Sequence, residues 1–239
     1  MTPVDHLEAT RRDSHRIAVA ARGRLNDTVP SCPDWRVADL VWHVGIVQLF
    51  WQMVARGELS GPEEWVEPDR PADDELLAWF RGGADNAVAT FAGLDSERPA
   101  WTWGRRHNVG FIRRRVAQET AVHRWDTVAA VAADEPIDQR IAVDGIDEFL
   151  DEVLPGLSPD LAGPAQTVGL CAEDAGADWT IRVGDGSTEL TRGRVRADVT
   201  VTATASDLLL LLWGRRPADE LQVEGKPAAL QRFLARAQF

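Results

Sequence analysis

Asp198-Val199-Thr200-Val201-Thr202-Ala203 alternates apolar and hydroxyl side chains residue by residue. A period of two marks a half-buried β-strand, because successive side chains of an extended chain point to opposite faces. Just upstream, Gln166 to Ala172, Trp179 to Val183 and Thr188 to Thr191 are short, β-branched-rich runs bounded by Gly and Asp. Asp185-Gly186 between two of them reads as a hairpin turn. Downstream, Ser206 to Gly214 and Lys226 to Ala237 read as closing helices.

Further back the period is that of helices. Val4 to Leu25 holds no proline and spreads Leu7, Ile17, Val19 and Leu25 among charged residues. Val37 to Arg56 follows, then Ala72 to Leu94, then Val109 to Ala132, each with apolar residues at helical spacing. The connections are a proline-punctuated loop at Val29 to Trp35, a Gly/Pro/acidic loop at Gly57 to Pro71, and a tryptophan-containing loop at Pro99 to Asn108. Four such helices predict an antiparallel bundle. One more helix, Ile137 to Leu154, is ended by Pro155-Gly156. Helices followed by strands give an α+β chain, expected to divide into a helical bundle over residues 1–157 and a small α/β domain over 158–239.

Composition narrows the function classes. The 239 residues carry a net charge of −12, which repels phosphate backbones and argues against nucleic-acid binding. Two cysteines far apart exclude a disulfide framework and suit a reducing cytoplasm. The longest apolar run, Leu208 to Trp213, is far short of the ~20 residues a membrane span needs, and the N-terminus shows no secretory signal. Of the basic residues only Lys226 is lysine, an arginine skew that points to a high-GC genome.

The strongest chemical signal is Arg115-Val-Ala-Gln-Glu119-Thr-Ala-Val-His123-Arg-Trp-Asp126. Glu119 and His123 are four apart and share one helix face with Ile112 and Val116, so a carboxylate and an imidazole point at the core. A buried carboxylate requires a cation or donor opposite. His43, on the apolar face of the second helix with Leu40, Val47 and Phe50, is the natural counterpart. Two histidines and one carboxylate form a three-ligand set that leaves a metal position open. The bland alternative is a satisfied core histidine, and spacing by itself does not decide between them. Asp126, one turn on, orients a ligand, binds substrate or pairs with an arginine. Arg215 and Arg216 are candidates for reaching an anionic substrate, and Trp101, Trp103 and Trp125 are packing residues unless one lines the pocket. Cys32 lacks an adjacent base, Cys171 reads as a buried small hydrophobe, and His6, His15 and His107 lie among charged residues.

Three stretches resemble the mycothiol-dependent maleylpyruvate isomerase family. They are Val29-Pro-Ser-Cys-Pro-Asp-Trp-Arg-Val-Ala-Asp-Leu-Val-Trp-His43, Trp101-Thr-Trp103, and Val109-Gly-Phe with Arg114 to Asp126. The first resembles the family's loop into the helix of the first histidine ligand, and the last its metal-binding E-x-x-x-H helix. Asp198 to Ala203, Leu208 to Trp213 and Val223-Glu-Gly resemble the family's small sterol-carrier-like domain. The resemblance covers nearly the whole chain and implies a DinB-like bundle holding a divalent metal (zinc first, nickel or cobalt possible) on His43, Glu119 and His123. One departure is Gln118, where many relatives have histidine.

The resemblance further implies that mycothiol, a low-molecular-weight thiol of certain high-GC bacteria, binds as thiolate and adds to a small electrophile. Rotation and expulsion of the thiol give an isomerase; retention of the adduct gives an S-transferase. Catalytic roles are then expected for Asp126, Arg215 and Arg216, and cofactor contacts for Trp101 and Trp103, with the second domain covering the metal cleft. A monomer or homodimer is expected. Two other classes stay open: a hydrolase using water on the metal, and a non-catalytic binder with a structural metal.

Overall fold

A computed structural model describes residues 5–131, 134–161, 163–184 and 186–237. The chain divides into two compact units, residues 1–135 and 136–239. The division comes earlier than the expected 157/158, and within the second unit the helix after Pro136 packs on the helix at 205–212.

The first unit is built on α1 (His6–Ala20), α2 (Val37–Arg56), α3 (Asp73–Ala92) and α4 (Val109–Val131). Their ends follow local chemistry. Asp5 accepts the Glu8 N–H at 3.0 Å and caps α1, while Asp39 accepts the Arg36 N–H at 2.9 Å at the start of α2. Gly57 closes α2 at φ +82°, a left-handed conformation that favours glycine. α1 packs on α3 and α4, and α2 packs on the same two helices.

α2 and α4 run antiparallel, as expected. α2 and α3 run parallel instead: Trp42 faces Trp79 with ring centroids 4.7 Å apart, and Gln52 bonds Gly83 and Asn86 further along both helices. The long 57–72 connection allows this by carrying the chain back along the bundle. Gly45 permits the close approach, since a Cβ there would lie 2.3 Å from the Trp79 ring. α2 is long and apolar enough to cross a membrane by length and composition, although His43, Gly45, Gln48 and Gln52 break it into short apolar runs. Most of it is buried in the bundle core, where it carries Gln48 and Gln52 into the interior.

The loop expected at 29–35 is a short hairpin, β1 (Thr28–Val29) and β2 (Cys32–Arg36), turning at Pro30-Ser31. Prolines that read as loop punctuation here sit at the turn and on a two-stranded ribbon, where a missing N–H is tolerated.

The second unit opens with α5 (Gln139–Glu148), continued by a π turn at Phe149–Val153 and a 3₁₀ stretch at Leu154–Leu161. The expected single helix to Leu154 thus loosens near Pro155, which has no N–H to give the α ladder. The strands are β3 (Gln166–Ala172), β4 (Ala177–Gly184), β5 (Ser187–Arg192), β6 (Val199–Ala203) and β7 (Gln222–Gly225). Among the described residues they form one sheet in the order β5-β4-β3-β6-β7, with β3 and β6 parallel and the other pairs antiparallel. Val199, Val201 and Ala203 are buried while Thr200 and Thr202 are half-buried, as the alternation requires. α6 (Ala205–Leu212) and α7 (Pro227–Arg236) pack on β3 and β6. In the Asp185-Gly186 turn, Asp185 lies outside the described residues, and Gly186 has φ +70°.

Candidate metal centre

α2 and α4 bring His43, Glu119 and His123 together. His43 Nε2 and His123 Nε2 each lie 3.2 Å from Glu119 Oε1, and all three donor atoms fall within 4.8 Å of one another. Ligand bonds of about 2.0–2.1 Å at tetrahedral angles give a ligand-to-ligand edge of about 3.3 Å, so both N···O separations fit a zinc-type ion. His123 is 8% exposed by side chain, against 31% for His43 and 25% for Glu119. The set is therefore closed behind and open on one side, which suits a three-ligand centre with a free position.

The imidazole of His123 is held from behind. Its Nδ1 lies 2.8 Å from Asp126 Oδ2, which turns Nε2 toward the other donors. Asp126 is fully buried and its second oxygen accepts the Ser31 hydroxyl at 2.6 Å. Asp126 thus lies behind His123, fully buried. Burial disfavours charge here, yet the bonds to Asp126 and Glu119 push His123 up to about 9. Burial likewise opposes ionisation of Glu119, but the bonds from His123 and His43 and the charge of Arg115 hold it well below the usual carboxylate range. Arg115 is buried, with Nη2 3.4 Å from Glu119 Oε2. Without an ion, protons and a guanidinium carry the positive charge that this carboxylate pair demands.

Sequence reading missed Trp35, Ser31 and Arg115. The Trp35 ring, on β2, is 4.9 Å from His43 and 6.3 Å from His123 by centroids. Arg115 had a signal, since it lies four residues before Glu119 on one helix face. The remaining expected residues have contacts of their own. Trp101 stacks on Trp51 at 5.9 Å, and Trp103, 45% exposed, meets Phe111 edge-on at 5.2 Å. Arg215 and Arg216 belong to the second unit, where Arg215 donates to the Trp213 carbonyl and Arg216 pairs with Asp207 and Glu220. The Cys171 thiol is pushed up by burial, and it contacts Arg194. A cleft of about 410 Å³ between α1 and α3, lined by Arg11, Arg12, Ser14, His15 and Arg81 among others, includes none of the three donors.

The sequence profile described as "Mycothiol maleylpyruvate isomerase N-terminal domain" matches residues 7–128, slightly more than half of the chain. The chain belongs to the mycothiol maleylpyruvate isomerase family. The profile described as "MDMPI C-terminal domain" matches residues 140–232. A crystal structure of the mycothiol-dependent maleylpyruvate isomerase is similar at a TM-score of 0.59 and 15% identity, over 92% of each chain. At that identity it supports the fold. A UbiJ-SCP2 ubiquinone synthesis protein matches over 40% of this chain and 87% of its own, at 20% identity and a TM-score of 0.28, too low to bear on the fold. No curated protein matches. The two family matches meet the two compact units, with the gap between them, 129–139, spanning the division at 135/136.

Proposed function

We propose that the chain is a metal-dependent enzyme that uses mycothiol against a small electrophile, giving cis–trans isomerisation or S-transfer. The observation that carries this reading is the His43–Glu119–His123 set, with two tetrahedral edges and an open side, in a chain of this family. When bound there, a divalent ion supplies the acidity that keeps a coordinating thiol deprotonated at neutral pH. The protein's part is to hold that ion at low net charge: one carboxylate against two positive charges leaves about +1, enough to favour an anionic sulfur. Asp126 holds His123 in the tautomer that presents Nε2, and Arg115 keeps Glu119 ionised. Zinc fits the N/O donor set, and nickel or cobalt substitute because such sites select weakly among late first-row metals.

In this reading Trp101 and Trp103 serve the thiol's organic portion, and Arg215 and Arg216 are the candidates for recognising an anionic substrate group. The deciding experiment is a screen of the metal-replete protein against small electrophiles, with and without mycothiol. Turnover only with thiol supports the proposal. Thiol-independent hydrolysis would replace it with a metal-activated water, and no turnover would leave a binder with a structural metal.

A further inference from the structure

We infer that Ser31 is a positioning residue of the metal centre, acting through Asp126 on His123; the inference rests on the metal reading above. Asp126 meets Ser31 and His123 through different carboxylate oxygens: Oδ2 faces His123 Nδ1 at 2.8 Å, and Oδ1 accepts from Ser31 Oγ at 2.6 Å. A carboxylate tied at a single oxygen keeps freedom to swivel about its terminal torsion, which is broad and shallow. The second bond restricts that torsion and with it the plane in which Nδ1 is held. Ion pairs and hydrogen bonds to a charged oxygen are the stronger kind, and this one ends on a fully buried carboxylate, with Ser31 itself half-buried.

The hydroxyl itself is well placed to serve as a fixed point. Ser31 forms the two-residue turn of the β1–β2 hairpin with Pro30, whose ring fixes φ. The hairpin is anchored by fully buried Val29, and its base is tied to the start of α2 through Val37 N–H to Asp27 O at 2.9 Å and Ala38 N–H to Leu25 O at 2.9 Å. α2 carries His43. The same hairpin sets Trp35 beside both histidine rings. The ribbon of residues 28–36 therefore sets a ring beside the histidines of both helices, and Ser31 supplies a hydrogen bond from it to Asp126.

The test compares zinc release to excess chelator from the wild-type chain and from Ser31→Ala, Ser31→Thr and Ser31→Cys. Loss of an outer partner of a metal-bound histidine costs about 10–100-fold in affinity, and Ser31→Ala should accelerate release by about tenfold, at the low end. Threonine keeps the donor and should return release to the wild-type rate. Cysteine, nearly the same size but a weak donor, should release faster than threonine, and this pair carries the test if the alanine variant does not fold. The visible d–d bands of the cobalt-loaded protein should shift in Ser31→Ala and not in Ser31→Thr. Because Ser31 acts through Asp126, adding Ser31→Ala to Asp126→Ala should produce no further acceleration. Wild-type zinc binding with unchanged release from the alanine and cysteine variants overturns the role of Ser31 alone, as do additive effects with Asp126→Ala. A wild-type chain that holds no zinc overturns the metal reading and this inference with it.

Discussion

The two units bury different things. Among the described residues of the bundle, Asp13, Arg115, His123, Arg124 and Asp126 are all at most 7% exposed; in the sheet unit the comparable charged residue is Glu148. The sheet unit instead buries Leu208 to Leu212 of α6 against Val168, Leu170, Val199 and Val201. Burying charge is costly unless each group is paired, whereas burying aliphatic surface is favourable by itself. The sheet unit thus has the interior expected of any small domain. The bundle keeps an interior of paired charges, among them His123 of the proposed metal centre and the direct partners of its donors, Arg115 and Asp126.

The sharpest way to break that contrast is to remove a ligand. His123→Ala should lose the metal, read as metal per chain by elemental analysis, because only two donors, both on half-buried positions, remain. Full occupancy in this variant would mean that the buried charges are structural only. The matching change in the other unit is Leu209→Ala, at a fully buried position of α6. It should lower stability by about 2–5 kcal/mol through lost contacts and a cavity, seen in urea denaturation. Zinc stoichiometry should stay unchanged. A parallel fall in both readouts would show that the two interiors are not separable as described.

Between these lies Asp126→Asn, which keeps the shape of the side chain and removes its charge. Metal affinity should fall about 10–100-fold, with stoichiometry retained at saturating zinc. A competition titration against a chromophoric chelator measures this, and an affinity equal to wild type would make Asp126 a buried partner with no hold on the centre.

What the sequence disclosed, and what it hid, follows the same divide. Glu119 and His123 were legible because four-residue spacing on a helix fixes a shared face. His43 was legible because its neighbours Leu40 and Val47 showed which way its helix turned. Ser31 and Asp126 are 95 residues apart, and no periodicity links a hairpin tip to a distant helix. Trp35 was hidden for the same reason, in a stretch whose prolines read as loop. In the sheet unit the alternating strands were plain, but β7, Gln222-Val223-Glu224-Gly225, offers one apolar residue in four and sits at an edge, where packing demands little. The parallel run of α2 and α3 was also out of reach, since it depends on the path of the 57–72 connection and not on the pattern of either helix. Arg215 and Arg216 were singled out from their doubled charge, yet Arg216 is engaged by Asp207 and Glu220, local partners that a motif search does not see.

The remaining expected effect concerns pH. In the metal-free protein the bonds to Asp126 and Glu119 outweigh burial and raise His123 to about 9, against an ordinary value near 6.5. The raised value means that the protonated form is favoured by folding. This contribution is fully present below pH ~6.5 and is lost as pH rises through about 9. Metal-free protein should therefore show a urea midpoint that declines from pH 6.5 to 9.5. Zinc takes the place of that proton, so the loaded protein should show a weaker decline over the same range, and zinc binding at neutral pH should release about one proton from His123. Calorimetry in two buffers of different ionisation enthalpy counts it. A further readout is apparent affinity, which should rise by about tenfold per pH unit through the neutral range and level off near 9. Binding without proton release, or a metal-free midpoint independent of pH, would show that His123 is already neutral and that Asp126 orients the ring without charging it.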